Sequence, residues 1–558
     1  MTDHSKHTQS GAYTATGCQA KINHGEDCGR LIHAAQDHDD VPVCLMHSRD
    51  PNKSAESFQK QFDGILYDAQ QQAASLEQRA VADFTGFVFP NANYGLRTFE
   101  AECYFTGTVF TQDAVFTRAV FTQDVDFSGA KFTQDVDFSG AKLTQGADFT
   151  QTEFAQTADF TRAKFIQATH FTQAKFTQAA DFSGARFTQN VDFEGTKFTQ
   201  YADFEEAEFT QHAVFSLAKF GQEADFFGAK FRRDAYFSRA EFTQDAVFRG
   251  TTFTGEADFR EAKFLEFAEF RETIFRHDES LQPGPIFSEA QFFQPEKVMF
   301  YKTYLGQALF YNCDVSEVRF SSVTWREREG KVKRRKRMLF EEDVDLNHEA
   351  ARDLKPQPDS SNERHYDLIA ETYQQLTKNY DDHRAFSIAG DFHYGEMEMK
   401  RLQSRRKGRF WRRVHQHLRM VAWYKYASNY GESFVRPGLW LVGVLLSFTL
   451  LFPFAGLYPA ETCCQSRTTS QMGPVYSDFA KYHPDPTGIC RFALWVGYTW
   501  RTTFWDSGMT AISVAGLQKE LKYAPSYPWG RALALLELLL TSTLIALFLL
   551  ALRRQFKR

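Results

Sequence analysis

Phenylalanine recurs along this chain with an alternating step of five and six residues, and that period dictates what almost half of it can fold into. Phe105, Phe110, Phe116, Phe121, Phe127, Phe132 and Phe138 open a ladder that runs on to Phe275, with Leu143 in one slot. The unit is eleven residues, clearest as FTQDVDFSGAK at 121–131. Self-similarity at a fixed period marks a solenoid. A five-residue step matches neither one face of an α-helix nor the alternation of a strand. It matches a flat-sided coil in which each side supplies one large inward residue. Two positions before each Phe stands a small or β-branched residue: Ala114, Ala119, Val125, Ala130, Val136, Ala141. Alternating small and large side chains fill a narrow interior. The Thr, Gln, Asp, Ser, Gly, Lys and Arg between them are expected to face solvent, with Asp and Gly making the turns.

The pattern resembles the Phe-centred variant of the pentapeptide-repeat family. That resemblance implies a multidomain chain whose main body is a right-handed quadrilateral β-helix, five residues to a face. Steps of five and six instead give twenty-two residues per coil, with an extra residue bulged at every second corner. Phe105 to Phe275 then makes about eight coils, a rod of about 37 Å at roughly 4.8 Å per stacked strand. Weaker repeats at Phe84, Phe89, Tyr94 and Phe99 extend it, and Phe287 to Phe320 reads as a degraded, capping end, so the solenoid is placed at 84–325.

Charge is unevenly distributed. Residues 101–275 carry 27 Asp+Glu against 17 Lys+Arg, a net of −10. WREREGKVKRRKR at 325–337 and the nine Lys+Arg between 400 and 419 are basic. Residues 326–361 therefore read as a solvated basic linker with affinity for anionic head groups or nucleic acid. Residues 362–430 read as a helical juxtamembrane region. Tyr366, Ile369, Tyr373, Leu376 and Tyr380 share one helical face. AGDFHYGEMEMKR resembles a stretch found before the membrane helices of pentapeptide-repeat membrane proteins. His393, Glu396 and Glu398 suggest a metal site less than they suggest solvated helix residues. No signal peptide opens the chain. No nucleophile–base pair, phosphate loop or catalytic acid pair emerges, so no enzyme is expected.

Residues 438–458 hold no charge, and 532–552 hold one acid, Glu537. Each is long enough to span a bilayer core of about 30 Å. With basic flanks upstream of the first and downstream of the second, both termini are expected on the cytoplasmic side of an inner membrane. Between them 491–516 is apolar and aromatic but broken by Arg501 and Asp506, as in a re-entrant half-helix held by a salt-bridged pair. The layout at 431–558 resembles two-helix pore-loop ion channels, which implies a homo-oligomer, by analogy a tetramer. No TVGYG-type filter is present, so carbonyl-based potassium selectivity is not expected. Glu537, with Thr541 one turn on, is either a pore-lining or coupling carboxylate or an acid near the helix end reaching water. Cys463, Cys464 and Cys490 lie between the spans, and two of them can pair in an oxidising compartment.

Cys18, Cys28, Cys44 and His47 lie within thirty residues ahead of the rod. Cys3His suits a structural zinc ion, and residues 1–60 read as a zinc knuckle, with His24, His33 and His38 as competing ligands. Two functions follow from the whole pattern. One is an oligomeric, channel-like membrane protein whose cytoplasmic β-helix binds an unknown protein partner. The other is a non-conducting, membrane-tethered scaffold. Binding of gyrase by DNA mimicry, known for some soluble repeat proteins, is a minor third, and a nucleic-acid partner is not expected.

Overall fold

The computed structural model describes residues 17–22, 27–33, 39, 41–76, 81–276, 282–329, 335–342, 366–402, 420–452, 457–459, 504–515, 523–525 and 528–557. They form two compact units, Met1–Asn379 and Tyr380–Arg558.

The first unit is built on the Phe ladder. Strands of mostly two residues stack in parallel into four sheets of ten, ten, eleven and eight strands, the four faces of the solenoid. The register advances 22 residues per coil, as in Lys131↔Glu153 and Val136↔Ala158, so the alternating step does define the coil. Corners alternate too. In the five-residue step the chain turns tightly: Ala130 N donates to Phe127 O at 2.9 Å around Gly129, whose φ is +64°. Only a residue that tolerates the left-handed region fits there, and glycine does so without steric cost. In the six-residue step the wider corner is tied by an aspartate, as where Asp135 Oδ1 accepts Thr157 N at 2.9 Å from the next coil.

Phe116, Phe121, Phe127, Phe132 and Phe138 are all buried. Rings one coil apart stack face to face, Phe110 on Phe132 at 4.5 Å between centroids, and meet their neighbours within a coil edge-on, Phe116 against Phe127 at 5.8 Å. Both are favoured aromatic geometries. Leu143 keeps the ladder's register between Phe121 and Phe165.

Both ends are closed by helices. Helix α1, Ala55–Leu76, is N-capped where Ser54 Oγ accepts Ser57 N at 3.1 Å. It buries Phe58, Phe62, Leu66 and Ala69, and Phe62 stacks on Phe84 at 4.5 Å and Tyr94 at 4.8 Å. The N-terminal module thus runs through α1 rather than stopping at residue 60, and the first strand starts at Val81.

At the other end the described part of the expected solvated linker, 326–329 and 335–342, is folded. Arg326–Glu329 pairs antiparallel with Arg335–Met338. Leu339, Phe340, Glu341 and Glu342 behind it are buried. Glu341 Oε1 accepts Phe310 N at 2.7 Å, and burial pushes this carboxyl up to about 7. Helix α2, Tyr366–Asp382, then covers the last coils. Tyr373 OH accepts Leu339 N at 2.9 Å and donates to Glu342, and Asn379 Nδ2 donates to the carbonyls of Val315 and Val318. The face carrying Ile369, Tyr373 and Leu376, within the stretch expected as a helical juxtamembrane region, is buried and caps the rod.

The second unit holds α3 (Phe386–Leu402), α4 (Met420–Ser428), α5 (Val435–Leu451), α6 (Phe504–Ala515) and α7 (Pro528–Lys557). Of these only α7 carries a stretch long and apolar enough to cross a membrane, Trp529–Arg554, with a mean hydropathy of 2.4. The first expected span is shorter than 438–458. Helix α5 ends at Leu451, and Leu457–Pro459 instead pairs antiparallel with Tyr523–Pro525. Helix α6 is the described part of the segment expected to re-enter. Phe448 of α5 and Phe452 just after it pack with Ala511 and Val514 of α6 and Leu533, Ala534 and Leu538 of α7.

Candidate functional site

The four residues expected to bind zinc come together although 29 positions separate the first from the last. Cys18 precedes a short hairpin in which Lys21 bridges Asp27, and its N–H donates to Arg30 O at 2.8 Å. Cys44 opens a turn that brings His47 back, its carbonyl accepting the N–H of His47 at 3.1 Å and of Ser48 at 3.0 Å. His47 Nδ1 lies 3.2 Å from Cys44 Sγ and 3.6 Å from Cys18 Sγ, and Cys28 Sγ lies 4.0 Å from Cys44 Sγ. All four ligand atoms lie within 4.8 Å of one another. A tetrahedral ion at about 2.3 Å from sulfur sets its ligands about 3.8 Å apart, so the cluster fits zinc.

A second contact fixes the imidazole. His47 Nε2 is 3.0 Å from Thr85 O, in the first coil of the solenoid. A carbonyl only accepts, so Nε2 carries the proton and Nδ1 turns its lone pair toward the three sulfurs. The Cys44 hydrogen bond holds the Cys28 thiol well below its ordinary value, while burial pushes the Cys18 thiol up. His33 is not in the cluster; its Nε2 lies 3.8 Å from Asp50. His24 and His38 lie outside the described residues.

Lys53, which sequence reasoning passed over, locks the same module to the rod. Its buried Nζ donates to the carbonyls of Leu45, Ser48 and Val88, and burial lowers it to about 8.

In the second unit Glu537 and Thr541 are fully buried among the chain's own helices. Thr541 Oγ1 donates to Glu537 O at 2.8 Å, whereas both carboxylate oxygens of Glu537 lack a partner. An acid at the helix end reaching water would be exposed, and this one is buried. Arg501, Cys463, Cys464 and Cys490 lie outside the described residues, as does the side chain of Asp506.

Residues 98–142, 149–197, 193–241, 204–252 and 237–281 match the family model described as pentapeptide repeats (9 copies). The solenoid is made of pentapeptide repeats. No curated protein and no solved structure matches the chain.

The pentapeptide-repeat rod sorts its charge by face. One sheet carries Asp137, Asp159, Asp181, Asp203 and Asp225 in register, each accepting the N–H two residues on at a corner, as Asp137 Oδ1 does from Ser139 at 2.7 Å. Burial, with Asp181 and Asp225 alongside, pushes Asp203 up to about 6. Two other faces carry cationic rows, Lys142, Lys164, Arg186 on one and Lys175, Lys197, Lys219 on the other. These aspartates are needed for the corners, so part of the rod's acidity is a consequence of its turns.

His393, Glu396 and Glu398 on α3 have side-chain partners rather than being solvated, Glu396 also meeting Lys400. His393 pairs with Glu396, while Glu398 receives Arg401, Lys425 of α4 and Tyr430 OH. Burial opposes ionisation of Glu398, but the hydrogen bonds from Arg401 and Lys425 outweigh it and hold the carboxyl at about 2. A carboxyl depressed in the folded state contributes stability that is fully present above its ordinary value and is lost as pH falls through the depressed one. Amide protection across Met420–Ser428 is therefore expected to hold from neutral pH to about 5 and to fall between about 4 and 2. Glu398→Gln should abolish that step and lower protection at neutral pH; an unchanged acid limb in the variant would show that other groups set it.

Proposed function

We propose that the protein is a membrane-anchored pentapeptide-repeat scaffold whose rod presents its charge-sorted faces to a protein partner. The carrying observation is the rod itself: a solid Phe interior with both ends capped, leaving only the outer faces for binding. The anchor is α7, whose Leu535, Leu536, Leu539, Leu540, Leu549 and Leu550 are exposed as lipid-facing side chains would be. Its 26-residue apolar stretch is about 39 Å long, enough for a bilayer core. Helix α5, at about 26 Å, crosses beside it with some local thinning. By the positive-inside rule, Arg553, Arg554 and Lys557 in the last turns of α7 favour a cytoplasmic side for that end, and with α5 also crossing, the rod would share that side. Cys18, Cys28, Cys44 and His47 hold one structural zinc ion that fastens the N-terminal cap.

An oligomeric, channel-like protein is the alternative. The short helix α6, packed with both α5 and α7 in one core, favours it. Alkaline carbonate extraction, affinity capture with and without residues 84–325, and ion flux in liposomes separate the two. The scaffold requires retention in the membrane pellet, a partner lost with the rod, and no flux. Flux would establish the channel, and carbonate-soluble protein would remove the anchor.

A further inference from the structure

Among the described residues, Glu537 is the one buried acid whose carboxylate has no partner on either oxygen. Its surroundings can be placed level by level. A methyl group on Gly438 of α5 would meet the Phe548 ring of α7 at 3.7 Å, while Phe448 packs near Leu533 to Leu538, so the two helices run antiparallel. Eleven residues along α5 from Gly438 is Thr449, and eleven residues back along α7 from Phe548 is Glu537, so these two share a level. Helix α6 meets them there, because a methyl group on Gly508 would touch Thr449 Cγ2 at 3.6 Å. The neighbour of Gly508 is Ser507, fully buried, with its hydroxyl also unpartnered. Thr449 Oγ1 donates to Leu445 O at 2.7 Å and keeps its lone pairs.

We infer that Glu537, Ser507 and Thr449 form a binding site for a single monovalent metal cation, taken up in exchange for the carboxyl proton. The site offers hard oxygen donors only, which suit an alkali cation over a soft transition metal. One carboxylate balances one positive charge, and the site is dry enough that an excess charge would be costly. The other charged residues of these helices are Arg436 on α5, Asp506 on α6, and Arg531, Arg553, Arg554 and Lys557 on α7. An unpaired acid within an apolar span is costly unless it carries a ligand or proton. The inference rests on α7 lying in the membrane. It goes beyond scaffolding, because a cation bound between three helices of one chain gives the anchor something to sense.

Dicyclohexylcarbodiimide, which modifies protonated carboxyls in apolar surroundings, tests it on the full chain in phosphatidylcholine vesicles. Peptide mass spectrometry should find Glu537 labelled in choline chloride. Sodium or potassium chloride should slow labelling about threefold once the cation reaches about twice its Kd. Ser507→Ala should weaken that protection while Glu537 still reacts. Labelling that neither cation slows would overturn the proposal in favour of a proton site, and folded protein that does not label would overturn it outright. Protection by calcium ahead of sodium and potassium would overturn the monovalent assignment. Should the chain prove carbonate-soluble yet show cation-protected labelling, the site would stand and only the membrane anchor would fail.

Discussion

Cys44→Ser is expected to release the metal and unfold the N-terminal cap while leaving the Phe ladder intact. Cys44 sits at the centre of the cluster, 3.2 Å from His47 Nδ1 and 4.0 Å from Cys28 Sγ, and it is buried. Serine there replaces a thiolate with a poor zinc ligand and leaves three donors where a structural site needs four. Binding at such sites in zinc-finger peptides at neutral pH is worth about 10–16 kcal/mol, and that binding energy is folding energy. Burying either Phe58 or Phe62 under the cap contributes only about 1.5–3 kcal/mol. A zinc ion bound there would therefore be the largest single contributor to residues 17–76. The wild-type chain should carry about one zinc per molecule by atomic emission, and the variant nearly none. Hydrogen exchange should show loss of protection over α1 and the hairpin near Cys18, with protection at Phe127–Phe248 unchanged. Wild-type protein that holds no zinc, and whose cap is indifferent to a chelator, would sink the metal assignment. A cap that unfolds together with the whole rod would show that the ladder depends on it, contrary to the independence expected of stacked repeats.

The contrast between cap and ladder also explains what the sequence made legible. The rod is readable because each coil makes the same demand at the same position. Phe127 and Phe138 must be large, Val125 and Val136 small enough to fit beside them, and Gly129 or its equivalents must turn. Periodicity repeats that constraint sixteen times over in the left-handed residues from Gly107 to Glu272, eleven apart. The caps carry no period. Phe58, Phe62, Leu66 and Ala69 do fall on one helical face, but the nearby cysteines drew the boundary to residue 60. The run at 326–337 misleads for a different reason. Alternating charges are ordinarily solvated, whereas here Arg326–Glu329 and Arg335–Met338 form a hairpin, and the carboxylates behind them are buried. What makes that burial tolerable is the guanidinium of Arg328 in the hairpin itself, with the N–H of Phe310 and the hydroxyl of Tyr373, both about thirty residues away in sequence. Glu537 shows the reverse case. Its cost in an apolar helix is visible from the sequence, but that Ser507 is buried and unpartnered as well is not, because only the packing of α5, α6 and α7 buries it.

Phe182→Ala should destabilise the rod locally by about 3–5 kcal/mol, the range for removing a buried aromatic ring. Phe182 is fully buried in mid-rod, stacked between Phe160 at 4.8 Å and Phe204 at 5.1 Å, with Phe171 and Phe193 edge-on at 5.4 and 5.5 Å. Alanine would open a cavity that the neighbours cannot close, because each neighbouring ring is held by its own stack. In a solenoid each coil touches only the coils before and after it. The loss should therefore appear as a protection minimum centred on Asp181–Phe182 that fades within a coil or two, while both caps keep their wild-type exchange. Phe→Leu at the same position should cost far less, since Leu143 already occupies one rung without breaking the parallel pairing on either side. A uniform loss of protection from Val81 to Phe320 would mean that the rod unfolds as one cooperative body. The caps would then be stabilising the whole ladder rather than merely closing its ends.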